Sequence, residues 1–167
     1  MRSSIAKRLL IAAAIAALAI PAGVAVATQP QDPPPPPTLT PIGRGTFSER
    51  VKVKAPNIKA KIKPSDFVVI GLHFAPGATT GWHSHPGPAL GVVQEGTFTL
   101  YNASDPKCRP HRYGPGQAFV DRGGGNVHIG RNETDQPVRV VVTFVIPVGA
   151  APTTSAPNPG TCKDKGF

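Results

Sequence analysis

The stretch GATTGWHSHPGPALGVVQEG, residues 77–96, carries the pattern that decides the fold. His83 and His85 stand two residues apart. On a β-strand both side chains would therefore leave the same face, at a separation suited to a single ion. Trp82, their neighbour, would point to the opposite side. Pro86-Gly87-Pro88 breaks the run, residues 89–93 read as the next strand, and Glu95-Gly96 reads as a turn. An H-x-H pair by itself fits a structural or surface role as well as a metal site. The surrounding chain separates the two readings.

Outward from this stretch the same grammar repeats. Strands are read at residues 67–74, 81–85, 89–93, 96–101, 117–121, 127–131 and 138–146, separated by proline- and glycine-rich turns. Upstream, Val51, Val53, Ile58, Ala60 and Ile62 alternate with Lys52, Lys54, Lys59, Lys61 and Lys63. That is the pattern of half-buried strands with one solvated face. The 167 residues include 21 prolines and 18 glycines but only 6 % aromatic and 16 % charged residues. Such a balance excludes a helical bundle or coiled coil and favours short strands joined by turns. The expected class is all-β, one domain of residues 44–149 built as a sandwich or barrel.

A third histidine, His128, falls on a later strand. Neutral imidazoles ligate transition metals, and three of them leave positions open for water or substrate. The frame around these residues resembles a cupin. Gly77, His83-Ser84-His85, Ala89 and Gly96 reproduce the spacing of the first cupin motif, G-x5-H-x-H-x3,4-E-x6-G, with the glutamate missing. Gly125, His128 and Asn132 match the second half of the second motif, G-x5-P-x-G-x2-H-x3-N. Its first half departs, since Gly123 replaces the proline and Gly116 lies one residue further upstream.

The resemblance spans residues 45–148, with a longer inter-motif stretch containing Cys108 that is similar to small secreted bacterial cupins. It implies a double-stranded β-helix, two antiparallel sheets rolled into an open jelly-roll-like barrel with the metal site inside. It also implies His83, His85 and His128 as ligands of a divalent transition metal: iron, manganese, zinc or nickel. Ala89, at the glutamate position, and its neighbour Leu90 cannot ligate, and Glu95 sits in a turn aimed away from the interior. A neutral three-histidine site keeps the full charge of the ion and opens one more coordination position. Such iron sites occur in cupin-type thiol dioxygenases, and three-histidine zinc can activate water. The alternative is a degenerate site that binds weakly or not at all. His73 and His111 occupy no family ligand position, and His111 is expected at the surface. Asn132 is expected to brace the turn after His128.

The ends of the chain read differently. Residues 1–27 combine three early bases, an apolar run from Leu9 to Ile20 and Ala25-Val26-Ala27, the form of a secretory signal peptide. An uncleaved anchor is the alternative, disfavoured by Pro21 and the alanine-rich composition. Export implies a secreted, periplasmic or cell-envelope protein that meets the membrane only through that signal. Residues 28–43, with five consecutive prolines from Pro33 to Pro37, read as an extended linker outside the core. Cys108 and Cys162 are the only cysteines. In an oxidising compartment they would form a disulfide tying back an irregular tail, residues 150–167. The other reading makes Cys108 a metal or redox ligand near His111.

The formal charge is +9. Seven bases between Arg44 and Lys63 face one acid, Glu49, which suits either a solvated edge protected by lysines or an anionic partner. No aromatic residues are interleaved for base stacking, so no nucleic acid is expected. A small-molecule ligand or substrate is expected, and a homodimer is open. Enzyme and non-catalytic binder both remain, because a cupin fold hosts either.

Overall fold

Alternation with a period of two becomes two sheets in the computed structural model, which describes residues 33–165. The signal-peptide stretch lies outside the described residues. In chain order the strands are β1 (Thr38–Phe47), β2 (Val51–Ala55), β3 (Ile58–Ile62), β4 (Ser65–Phe74), β5 (His83–Ser84), β6 (Ala89–Glu95), β7 (Phe98–Asn102), β8 (His111–Tyr113), β9 (Ala118–Asp121), β10 (His128–Arg131), β11 (Val138–Pro147) and β12 (Thr154–Ser155). One five-stranded sheet has the order β1-β4-β11-β6-β9 and the other β12-β5-β10-β7-β8, with antiparallel pairing throughout. Strands adjacent in sequence often lie in different sheets, as in a double-stranded β-helix.

Strand β11 shows how the pattern is used. Val138, Val140, Val142, Phe144 and Ile146 are each at most 5 % exposed, and they meet Val68, Phe74, Val93 and Phe98 in the core between the sheets. Full burial of each such side chain contributes about 1.5–3 kcal/mol. Gly91 on β6 makes room for this packing, because a Cβ there would lie 2.1 Å from the Phe119 ring. Gly96, with φ of 72°, makes the turn that the sequence places after β6. Trp82 does point away from the main core. It packs with Tyr101, Ile129 and the bonded pair Cys108–Cys162 in a second cluster.

Three sequence expectations change. The linker reading holds at most for its first part: β1 begins at Thr38 and pairs with β4 from Thr38↔His73 to Phe47↔Ser65. Pro35 accepts a hydrogen bond from Thr79 N (2.9 Å), and Pro37 is buried. Pro41 is tolerated because β1 is an edge strand, with one side free of ladder bonds. The folded unit thus starts before residue 44.

The tail is also less irregular than expected, since β12 pairs with the histidine strand β5 through Thr154↔Ser84 and Ser155↔His83. Lastly, the lysine-rich strands are half-buried only in part: Val51, Ala60 and Ile62 are partly covered, and the remaining apolar positions are not. β2 and β3 pair only with each other, and Val53 and Ile58 are 40 % and 58 % exposed. The reason is topological. β1 and β4 already meet at Phe47↔Ser65, so the chain between them leaves the sheet as a hairpin.

Candidate metal centre

His83 lies on β5, His85 just beyond it, and His128 opens β10 directly opposite His83 in the ladder. Two strands of one sheet thereby bring residues from distant parts of the chain to one face. The ring centroids are 4.3 Å apart for His83–His128, 4.8 Å for His83–His85 and 4.9 Å for His85–His128. All three residues are buried, and one ring nitrogen from each lies within 4.8 Å of the others.

The second nitrogen of each ring is already committed. Nδ1 of His83 donates to Gly81 O (2.9 Å), that of His85 to Pro152 O (2.7 Å) and that of His128 to Asn126 O (3.1 Å). A carbonyl can only accept, so these bonds place the proton on Nδ1 and leave the Nε2 lone pair free. Burial disfavours the imidazolium form in all three. His83 is lowered to about 4, with repulsion from His128 adding to the effect; His85 and His128 are lowered chiefly by the same burial. The result is three neutral nitrogen donors around one point. Ligands at about 2.0–2.1 Å from a zinc-sized ion lie within about 4 Å of each other, so small ring movements suffice to close the site.

The site forms one end of a cavity of about 240 Å³, otherwise walled largely by Ile70, Leu72, Phe98, Leu100, Phe119 and Phe144. Ala89 lines this cavity and is 2 % exposed, whereas Leu90 faces outward. Glu95 forms a surface ion pair with Arg139 Nε at 2.6 Å, pointing away from the site as expected. His111 is exposed on β8 and lines a separate polar groove of about 360 Å³, and His73 is exposed on β4. Neither joins the cluster. Cys108 is bonded to Cys162, with Cα atoms 5.3 Å apart, which removes it as a ligand.

The Cupin_2 family model, a cupin domain, matches residues 72–144. These residues form a cupin domain. Among solved structures, this cupin is similar to a double-stranded β-helix protein of Klebsiella pneumoniae (18 % identity, TM-score 0.51, covering 78 % of this chain and 90 % of that one). It is also similar to a cupin domain from Bordetella pertussis (19 % identity, TM-score 0.49, 69 % and 98 % covered) and to the DMSP lyase DddQ of Ruegeria pomeroyi (19 %, TM-score 0.47, 54 % and 43 % covered). These likenesses concern the fold. No curated protein matches the chain.

Sequence reasoning missed several residues of this cupin's site. Asp121, at the end of β9, is 3 % exposed and stands opposite Ala89 in the ladder. Its Oδ2 lies 3.3 Å from His128 Nδ1 and accepts from Asn126 Nδ2 at 2.5 Å, while Oδ1 accepts from Gly123 N at 2.7 Å. A carboxylate thus survives one strand away from the position where the family pattern has glutamate. The available signal was the alternation Phe119 in, Val120 out, Asp121 in. Also missed were Pro152, which orients His85, and Pro36, Pro37 and Leu39, which complete the cavity wall. Asn132 behaves as expected, donating from Nδ2 to Phe74 O, Ala75 O and Gln136 O and so fixing the turn after β10.

Proposed function

We propose that this cupin is exported and holds one divalent transition ion, iron, manganese, zinc or nickel, through Nε2 of His83, His85 and His128. In this reading it binds or transforms a small molecule with a mainly apolar body. The observation that carries it is the convergence of three unprotonated nitrogens at the end of an apolar cavity. Apolar walls exclude water and favour a ligand of few polar groups, one of which reaches the metal. The ion, when bound, supplies Lewis-acid polarisation, and redox chemistry if it is iron or manganese.

The residues around the cavity have separate tasks. The carbonyls of Gly81, Pro152 and Asn126 hold the imidazole tautomers. Asp121 places a negative charge behind His128 and raises its basicity as a ligand. A second reading, a non-catalytic binder, is favoured by one feature. Among the described residues, Asp121 is the only carboxylate lining this cavity, and it is committed to neighbouring donors.

Metal analysis of protein from its native compartment tests the proposal. About one equivalent of ion is expected, with His83→Ala and His128→Ala each removing it from a still-folded β domain. Metal retained by both variants rules the ligand set out. Metal-dependent turnover then separates enzyme from binder, for which saturable binding without turnover is expected. A homodimer fits the outer face of the first sheet, where Leu90, Val92, Val120, Val141, Thr143 and Val145 present no charge. Sedimentation of the purified protein checks it.

A further inference from the structure

The hairpin β2–β3 carries its lysines on one side and its apolar residues on the other. Across its ladder Lys52 faces Lys61 and Lys54 faces Lys59 on one side. On the other side Val51 faces Ile62, Val53 faces Ala60 and Ala55 faces Ile58. All four paired lysines are exposed, as are Val53 and Ile58, and no third strand joins the hairpin. Between residues 48 and 64 there are six bases and one acid.

Left alone in water, this arrangement is unfavourable in two ways. Like charges directly opposite one another destabilise a strand pair, and an isolated two-stranded hairpin is marginal without a surface to pack on. Protection of a sheet edge does not account for it. The edge strand nearest in sequence is β1, whose Arg44 is engaged with Asp66, and the lysines stand on a hairpin that belongs to neither five-stranded sheet. Edge protection also leaves Val53 and Ile58 without a purpose.

We infer that this hairpin docks on a phospholipid bilayer bearing anionic headgroups. Such a surface supplies both missing partners at once: the apolar face enters the headgroup boundary, and the lysines are held in the negative surface potential. A dissolved polyanion satisfies only the lysines, which is why the lipid surface is the better match. The inference does not depend on the metal site.

The test uses the protein in the form its producing cells accumulate, mixed with vesicles of equal parts phosphatidylglycerol and phosphatidylcholine or of phosphatidylcholine alone. Binding is expected to the anionic vesicles only, and to weaken with salt. Lys54→Gln with Lys59→Gln should lower the partition coefficient roughly 25-fold, at about fivefold per lysine. The corresponding arginine pair should retain binding. Ile58→Ser should lower it about tenfold. Equal binding to both vesicle types, binding to neither, or unchanged binding by the glutamine pair overturns the inference. So does loss of the lysine effect on vesicles while soluble polyphosphate is still bound through the same lysines, or an Ile58→Ser variant that binds vesicles like the wild type. An unchanged unfolding midpoint in urea for each variant reports that the barrel is intact.

Discussion

Replacing Asp121 with asparagine changes one oxygen to an amide nitrogen and removes one charge, with almost no change in volume. Two donors bond the native carboxylate, Gly123 N at 2.7 Å from Oδ1 and Asn126 Nδ2 at 2.5 Å from Oδ2, and His128 Nδ1, which donates to Asn126 O, stands 3.3 Å from Oδ2. Asparagine offers one acceptor oxygen. If that oxygen keeps Gly123, its NH2 group faces Asn126 Nδ2 and the His128 ring N–H; if it turns round, Gly123 N is left without its acceptor. An unmet buried donor costs about 1–3 kcal/mol, so thermal stability of the metal-free protein should fall by that amount. The effect on the metal is separate. His128 keeps its bond to Asn126 O but loses the negative charge behind its ring, and loss of such an outer partner weakens metal binding about 10–100-fold. That corresponds to about 1.4–2.7 kcal/mol of binding free energy. Competition with a chromophoric chelator, using zinc or cobalt at pH 7, measures it directly. Unchanged affinity, within a factor of about three, together with an intact fold would refute a role for Asp121 at the site.

The other predictions test the supports of the same centre. Converting Cys108 and Cys162 to serine opens a loop with a sequence separation of 54 and should cost about 4 kcal/mol. Because Pro152 and β12 belong to the tethered tail, metal affinity should fall with it, as read by urea unfolding with and without metal. Ala89→Glu puts a carboxylate into the cavity opposite Asp121. The metal-free protein should lose several kcal/mol through an unpaired buried charge, whereas metal should bind about tenfold more tightly; unchanged metal affinity argues against an inward side chain at residue 89. For metal-free protein the unfolded chain takes up protons near 6.5 that the buried histidines refuse, so stability is full above that pH and declines as pH falls towards 4. His83 alone contributes about 3 kcal/mol to this loss, measurable by urea melts at pH 7, 5 and 4. Asp66 acts lower: held at about 2 by Thr46, Gly149 N–H and Arg44, it withdraws its stabilisation as pH drops from 3.8 through 2.

Much of this protein was written locally. The period of two from residue 65 to residue 147 specified strands, the proline-glycine breaks specified where they end, and the spacing of His83, His85 and His128 inside the cupin motifs specified which rings would meet. The gap at Ala89 was equally visible. Apart from the meeting of His128 with the other two rings, which came from the family resemblance, these are properties of neighbouring residues, since side-chain direction along a strand follows from sequence position alone.

What required the tertiary structure was every relation set by pairing between distant segments. Asp121 matters because β9 lies beside β6 in a register that puts it opposite Ala89 and near His128. Pro152 matters because the Cys108–Cys162 bond and β12 bring the tail to His85. Pro36 and Pro37 wall the cavity because they lead directly into β1, which is laid along β4 from Thr38↔His73, a pairing that a polyproline reading does not foresee. The lysine strands kept their alternation but found no sheet to join. Local pattern fixes the direction of a side chain; only ladder register and chain closure decide what it faces.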